Sequence, residues 1–230
     1  MIHYLRMQIM WKGQACFSIT AQRSKQEQVK LVIDPYDPAI GLNLPPLEAD
    51  IVLSTHDHAD HNNVRAVKGP ASTGGGDPFV ITGPGEYEIK DVAIRGIPSF
   101  HDEKQGLDRG TNTIYAIEAE GMRLCHLGDL GQAELTEDQV SKIGNVDILF
   151  VPVGGVYTVG AKAAANIVHQ LEPRIVIPMH YLLPKLKFKL EKADDFLKEM
   201  GAKNAEPQGK LNIKIHDLSG DETKVVVLTP

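Results

Sequence analysis

Cysteine is scarce in this chain of 230 residues: only Cys16 and Cys125 occur, both in apolar, strand-like surroundings. That excludes the dense disulfide framework of a small secreted domain, and two reduced core thiols are expected. Long hydrophobic runs are missing as well. No segment approaches the length that crosses a bilayer, and the opening Met1-Ile2-His3-Tyr4-Leu5-Arg6 lacks the apolar stretch of a secretory leader, so a soluble, cytoplasmic protein without a membrane role is expected. A basic excess is also absent. The 24 Lys and Arg against 30 Asp and Glu, a formal charge of −6, argue against a nucleic-acid partner and leave a small-molecule substrate as the expectation. No low-complexity tract or internal repeat divides the chain, and 42% hydrophobic content suffices for one core, so residues 1–230 read as a single domain.

What the chain does have is histidine and aspartate packed into one stretch. Thr55-His56-Asp57-His58-Ala59-Asp60-His61 places three imidazoles and two carboxylates within six positions, directly after the apolar run 49–54. In an extended or tightly turned segment residues two apart point the same way, so His56 and His58 suit one metal ion while Asp60 and His61, beyond the bend, reach a second. A dinuclear site needs further ligands at later strand ends. His101 follows the β-type run 92–100, Asp129 follows 122–127 through Gly128, and His180 follows 174–179. Each stands where a strand leaves its sheet, so all four loci can converge on one sheet edge.

The ordered set His56-x-His58-x-Asp60-His61, His101, Asp129 and His180 resembles the signature of the metallo-β-lactamase-fold hydrolases over nearly the whole chain. Ile33-Asp34-Pro35, Gly83-Pro84-Gly85-Glu86-Tyr87, Leu127-Gly128-Asp129 and Met179-His180-Tyr181 resemble the branch that includes the manganese-dependent ascorbate-6-phosphate lactonases. Members of that branch often carry Gly-His where this chain has Gly13-Gln14. The resemblance implies an α/β (α+β) four-layer αββα sandwich, whereas periodicity by itself supports only a mixture of α and β. It also implies that His56, His58 and His101 hold one divalent ion, Asp60, His61 and His180 the other, with Asp129 bridging them. With nitrogen and oxygen donors alone, zinc and manganese are both expected, and iron is admissible. A hydroxide held between the ions would attack an ester, lactone or phosphoester, with Asp60, Asp129 and His180 as the catalytic residues and Asp60 orienting the nucleophile. Two other readings of the same ligands stand beside this one: a non-catalytic metal- or ligand-binding protein of the same fold, and a nuclease or phosphodiesterase, which the acidic charge disfavours.

Around these positions the remaining pattern is coarser. Segment 7–20 reads as strand broken at Gly13, with 29–33 as its partner across a polar connection at 21–28. Asp34 is either an acid standing behind the metal ligands or a turn residue capping its own backbone. Residues 62–68 suggest a short helix, 69–78 with its three consecutive glycines a linker, and 102–110, carrying Lys104 and Arg109, a substrate rim. Residues 112–119 and 122–127 read as a hairpin in which His126 is out of phase with Asp129 and packs inside. Cys125 is read as structural despite its closeness to Asp129. Tyr181 and Asp102 adjoin ligands but are assigned packing and supporting roles. Thr136-Glu137-Asp138-Gln139 has the form of a capping box opening a helix up to Gly144. Strand 146–153, an Ala-rich helix at 161–171 and strand 174–178 follow. Leu190, Ala193, Phe196, Leu197 and Met200 share a helical face stopped by Gly201, and Lys185, Lys187 and Lys189 form a solvated face. Segments 211–215 and 225–228 are expected to close the chain as a hairpin.

Overall fold

Alternating burial along β1 (Met7–Gly13), with Met7, Ile9 and Trp11 turned inward, marks a strand that gives one face to a core. In the computed structural model, which describes residues 6–24, 27–71, 74–220 and 222–230, this pattern is repeated in two stacked sheets. The opening residues 1–5 and parts of the expected connection 21–28 and linker 69–78 lie outside the described residues. The strands that follow β1 are β2 (Cys16–Gln22), β3 (Gln28–Ile33), β4 (Leu47–Glu48), β5 (Ile51–Leu53), β6 (Val67–Lys68), β7 (Phe79–Ile81) and β8 (Gly85–Ile89). After them come β9 (Val92–Phe100), β10 (Thr111–Ala119), β11 (Met122–His126), β12 (Ile148–Pro152), β13 (Ile175–Met179), β14 (Leu211–Ile213) and β15 (Lys224–Val225). The helices are α1 (Glu137–Ile143), α2 (Ala161–Leu171) and α3 (Asp194–Glu199).

The first sheet runs β14-β1-β2-β3-β5-β7 and the second β15-β13-β12-β11-β10-β9-β8, while β4 and β6 form a small separate pair. Between the sheets lies the main core, where Phe17 of β2 meets Phe150 of β12 with ring centroids 4.5 Å apart. Outside the second sheet, α1, α2 and α3 cover Leu149, Val151 and Val176 with Ile143, Ile167 and Phe196. Strand β12 is accordingly buried along its whole length, as a strand covered on both faces must be. Outside the first sheet, the 3₁₀ turns at Pro38–Ile40 and Val64–Ala66 and the loops bearing Leu44, Leu186 and Phe188 cover Cys16, Val32 and Val52. Two sheets are thus packed face to face with α-helices outside the second, while among the described residues the outer layer of the first consists of 3₁₀ turns, loops and the short β4–β6 pair, so the fourth layer of the expected αββα sandwich holds no α-helix. No helix of the described residues is long and apolar enough to cross a membrane.

Strand direction places the histidines. Strands β11, β12 and β13 are mutually parallel, and β9 pairs antiparallel with β10, which pairs antiparallel with β11, so β9 runs the same way as β11. In the first sheet β3 and β5 are likewise parallel. The carboxyl ends of β3, β5, β9, β11 and β13 therefore carry Asp34, the 56–61 loop, His101, Asp129 and His180 to one edge of the sandwich. Hydrogen bonds clamp the sheets together there, among them the Tyr115 hydroxyl donating to the Ser54 carbonyl at 2.9 Å and the Thr113 N–H to the Thr55 carbonyl at 2.9 Å.

Several expectations meet the structure directly. The strand expected across 7–20 breaks after Gly13, where β1 and β2 form a hairpin around Gln14-Ala15, β10 and β11 pair antiparallel, and α2 spans the Ala-rich segment. The capping box is reciprocal: Thr136 Oγ1 accepts from the Gln139 N–H at 3.2 Å, and Gln139 Oε1 accepts from the Thr136 N–H at 3.0 Å. Three expectations are corrected. The closing segments do not form a hairpin, because β14 pairs with β1 at the edge of the first sheet while β15 lies parallel to β13 at the edge of the second. Apolar content identifies a strand but not its partner, and the separating stretch, with its 3₁₀ turn Ile215–Asp217, far exceeds a tight hairpin loop. Residues 62–68 form a single 3₁₀ turn and then enter β6 instead of a helix, since Val67 belongs to the outer core beside β4. The helix expected across 190–200 is shortened to α3; Leu190 and Ala193 reach the core from the preceding loop.

Candidate metal centre

The loop after β5 is shaped by a buried carboxylate from the neighbouring strand end. Asp34, fully buried at φ 48, accepts from the Thr55 N–H at 2.7 Å and the Thr55 hydroxyl at 2.8 Å, and lies 2.9 Å from His61 Nδ1. With Nδ1–H donated to Asp34, the His61 Nε2 lone pair is turned into the site. Because the Thr55 hydroxyl donates to Asp34, its oxygen is left to accept from His56 Nδ1 at 3.1 Å, which turns His56 Nε2 the same way. Of the two readings of Asp34, the acid standing behind the ligands is the one observed. The left-handed backbone at Asp34 recurs at His180, φ 50, whose N–H donates to the Gln14 carbonyl at 3.1 Å. Such positions cost about 1–3 kcal/mol each and persist where the surroundings over-determine them.

Asp129 is held by a second network that sequence reasoning missed. Asn112 accepts from the Asp129 N–H at 3.0 Å and donates to the Leu127 carbonyl at 2.9 Å and Ser99 Oγ at 2.7 Å. Asn112 carried no sequence signal, being a lone amide near the start of a strand. Gly128 between these groups has φ 58, and a Cβ there would lie 2.3 Å from Asn112 Oδ1. His126 accepts from the Gly128 N–H at 3.1 Å and therefore donates from Nε2 to the Ala15 carbonyl at 2.9 Å, a packed neutral imidazole as expected. Cys125 faces the helix-side core, and burial pushes its thiol well up, so it stays a structural thiol. Tyr181 packs on Trp11 with centroids 4.9 Å apart, and burial raises its hydroxyl to about 12.

All seven expected ligands meet in two groups whose donor atoms lie within 4.8 Å of one another: His56, His58 and His101 in one, Asp60, His61, Asp129 and His180 in the other. His56 Nε2 and His58 Nδ1 are 2.9 Å apart. Asp129 Oδ2 lies 3.2 Å from His61 Nε2 and 3.3 Å from both His101 Nε2 and His180 Nε2. It therefore touches both groups. Asp60 Oδ2 is 3.4 Å from His61 Nε2 and from His180 Nε2. Donors bonded at about 2.0–2.1 Å to one tetrahedral ion stand about 3.3 Å apart, so this spacing fits metal ligation. Among the described residues, buried His61 Nε2 and Asp129 Oδ1 have no hydrogen-bond partner, which fits the same role.

Charge follows from this packing. Burial would lower His61, but Asp129, Asp60 and Asp34 outweigh it and raise His61 well above an ordinary histidine. Burial would raise Asp129, yet His180 and His61 hold it below the usual carboxylate range. His56, pushed by burial and by repulsion from His61, falls to about 2, and burial also lowers His101. Neutral imidazoles are what cation ligation requires, and a proton on His61 occupies the place of a cation among the carboxylates.

Comparison with known proteins agrees with this geometry. The family model described as the beta-lactamase superfamily domain matches residues 8–180. The chain is 31% identical over 196 residues to a UPF0173 metal-dependent hydrolase of Thermococcus onnurineus (strain NA1), covering 76% of this chain and 84% of that protein. It belongs to the metallo-β-lactamase superfamily, among the UPF0173 metal-dependent hydrolases. Another relative, a UPF0173 protein of Pyrococcus furiosus, is 32% identical over 201 residues, covering 76% of this chain and 83% of that one. A solved structure described as a putative Zn-dependent hydrolase of the metallo-β-lactamase superfamily from Thermotoga maritima is 38% identical, with TM-score 0.75 and coverage of 96% of this chain and 98% of that one.

Two outcomes follow for this metal-dependent hydrolase. Replacing Asp34→Asn exchanges one of its two accepting oxygens for an NH2 donor, so the Thr55 N–H and His61 Nδ1–H can no longer both be accepted, and metal affinity should fall about 10–100-fold in competition titrations with a chelator; unchanged affinity would contradict the role given to Asp34. Because the ion held with His61 must displace its proton, apparent affinity should rise about tenfold per pH unit below the raised His61 value. A pH-independent affinity in that range would contradict it.

Proposed function

We propose that this hydrolase is dinuclear and cleaves a small ester, lactone or phosphoester. The observation that carries the proposal is the position of Asp129 Oδ2, within 3.2–3.3 Å of imidazole nitrogens from both ligand groups. His56, His58 and His101 would hold one ion, Asp60, His61 and His180 the other, with Asp129 shared. When bound, two such ions supply Lewis acidity and a water acidified from 15.7 towards about 7. Zinc is supported by the description of the Thermotoga maritima protein, and the nitrogen and oxygen donors suit manganese equally well.

The chain's own residues then have distinct tasks. Asp60 is 18% exposed at its side chain and lines the open cavity, so its carboxylate can accept a proton from an attacking water and return it to the leaving group. Asp60 Oδ2 stands 3.4 Å from both His180 Nε2 and His61 Nε2, the spacing of donors that would share one ion. Asp129, buried beneath, would supply the negative charge shared by both ligand groups. The cavity over these residues, about 400 Å³, is the size of a small-molecule site, which supports a small substrate over a polymer.

Protein purified without added metal and reconstituted separately with zinc and manganese should take up two equivalents of the metal that restores hydrolysis of an ester, lactone or phosphoester panel. His58→Ala and Asp129→Ala should each lose at least one equivalent, and their kcat should fall by orders of magnitude. Retention of two equivalents in either variant, or no turnover by a fully loaded sample, would overturn the proposal.

A further inference from the structure

Among the described residues lining the cavity above the ligands is an arginine, Arg109, on the loop that follows His101. The loop is preorganised by Asp102, whose buried carboxylate accepts from the backbone N–H groups of Lys104, Gly106, Asp108 and Arg109 at 2.7, 2.9, 3.0 and 2.8 Å. Asp102 thereby fixes where Arg109 leaves the loop.

The Arg109 side chain is positioned from the opposite wall. Its guanidinium lies 5.5 Å from the Tyr157 ring centroid, and Nη2 donates to the Val156 carbonyl at 3.2 Å. Of five N–H donors, most remain for a ligand. The neighbouring Asp108 pairs with Lys104 at 2.8 Å. Tyr157 in turn meets Phe188 edge-on with centroids 5.9 Å apart, and Phe188 stands 6.4 Å from the His180 ring. The Tyr157 turn is tied down by the Val159 N–H on the Leu130 carbonyl at 2.9 Å, and the Phe188 segment by the Lys187 N–H on the Ile40 carbonyl at 2.9 Å. Three loops thus meet at the cavity, with an apolar face beside the ligands and a planar cation at its end.

We propose that Arg109 is the specificity residue of this site, pairing with an oxyanion on the substrate, a carboxylate or a phosphate, whose apolar part rests against Tyr157 and Phe188. The proposal rests on the hydrolase reading above, which places the scissile bond over Asp60 and Asp129. A fork of parallel N–H donors suits either oxyanion. A neutral substrate leaves that fork without a partner, which gives the site a reason to discriminate.

Calorimetric titration of the metal-loaded protein with phenylacetate, benzylphosphonate and the neutral phenylacetamide tests this without any need for turnover, and metal content is measured in every sample. At least one anion should bind about tenfold or more tighter than phenylacetamide, and which one does so separates a carboxylate from a phosphate preference. In Arg109→Gln that ratio should collapse to below about threefold at unchanged metal content, while Arg109→Lys should keep part of it as a point charge without the fork. Equal binding of anion and amide, no binding of either anion, or full discrimination in Arg109→Gln would overturn the proposal, the last placing the anion on the ions. A protein that takes up no metal fails the hydrolase reading instead, and the same ratio read on that metal-free sample still decides the role of Arg109.

Discussion

The structure depends on one buried carboxylate. Asp129 is almost wholly enclosed, with three imidazole nitrogens at 3.2–3.3 Å from a single oxygen and its other oxygen without a partner. Isolated, such a group is costly to bury, and a cation among the surrounding donors removes that cost. The sandwich is built so that this happens. Strands of both sheets run towards the same edge, Gly128 lets the chain turn tightly against Asn112, and Asp34 and His180 adopt left-handed backbone that their neighbours enforce. Two of the strained backbone positions thus stand at the site itself, while others, such as Lys90, Asp91 and Glu120 in turns and Glu172 at a helix end, lie elsewhere.

From that centre outward the side chains divide by what they touch. Asp34 and Thr55 turn two imidazoles, Asn112 and Ser99 hold the Asp129 turn, and Asp102 holds the loop whose end reaches over the cavity. Each uses a short polar group against backbone or ring donors, and each lies one residue or one strand away from a metal-facing residue. A substitution in this layer changes the aim of a ligand without removing it, which is why such residues govern affinity and specificity more than folding.

How much of this was legible beforehand varied with the physical signal. The 56–61 cluster and the residues at 101, 129 and 180 were readable because ligand chemistry demands particular side chains, and strand ends put them at one edge. The helices α1 and α2 were readable from a capping box and an Ala-rich run. Partners were harder. Segments β14 and β15 look alike as strands, yet they extend different sheets, and their pairing is decided by long-range packing that local pattern does not encode. Asn112, Tyr157 and Phe188 were invisible for the same reason: an amide or an aromatic ring becomes functional only through what the fold brings beside it.

The central claim is that Asp129 is shared between two ions. Crystals grown with manganese or zinc, with anomalous diffraction collected at the metal edge, test it most directly. Two peaks about 3.5–4 Å apart, one beside His56, His58 and His101 and one beside Asp60, His61 and His180, with Asp129 touching both, are the predicted result. One peak, or two with Asp129 bound to only one of them, would contradict the account.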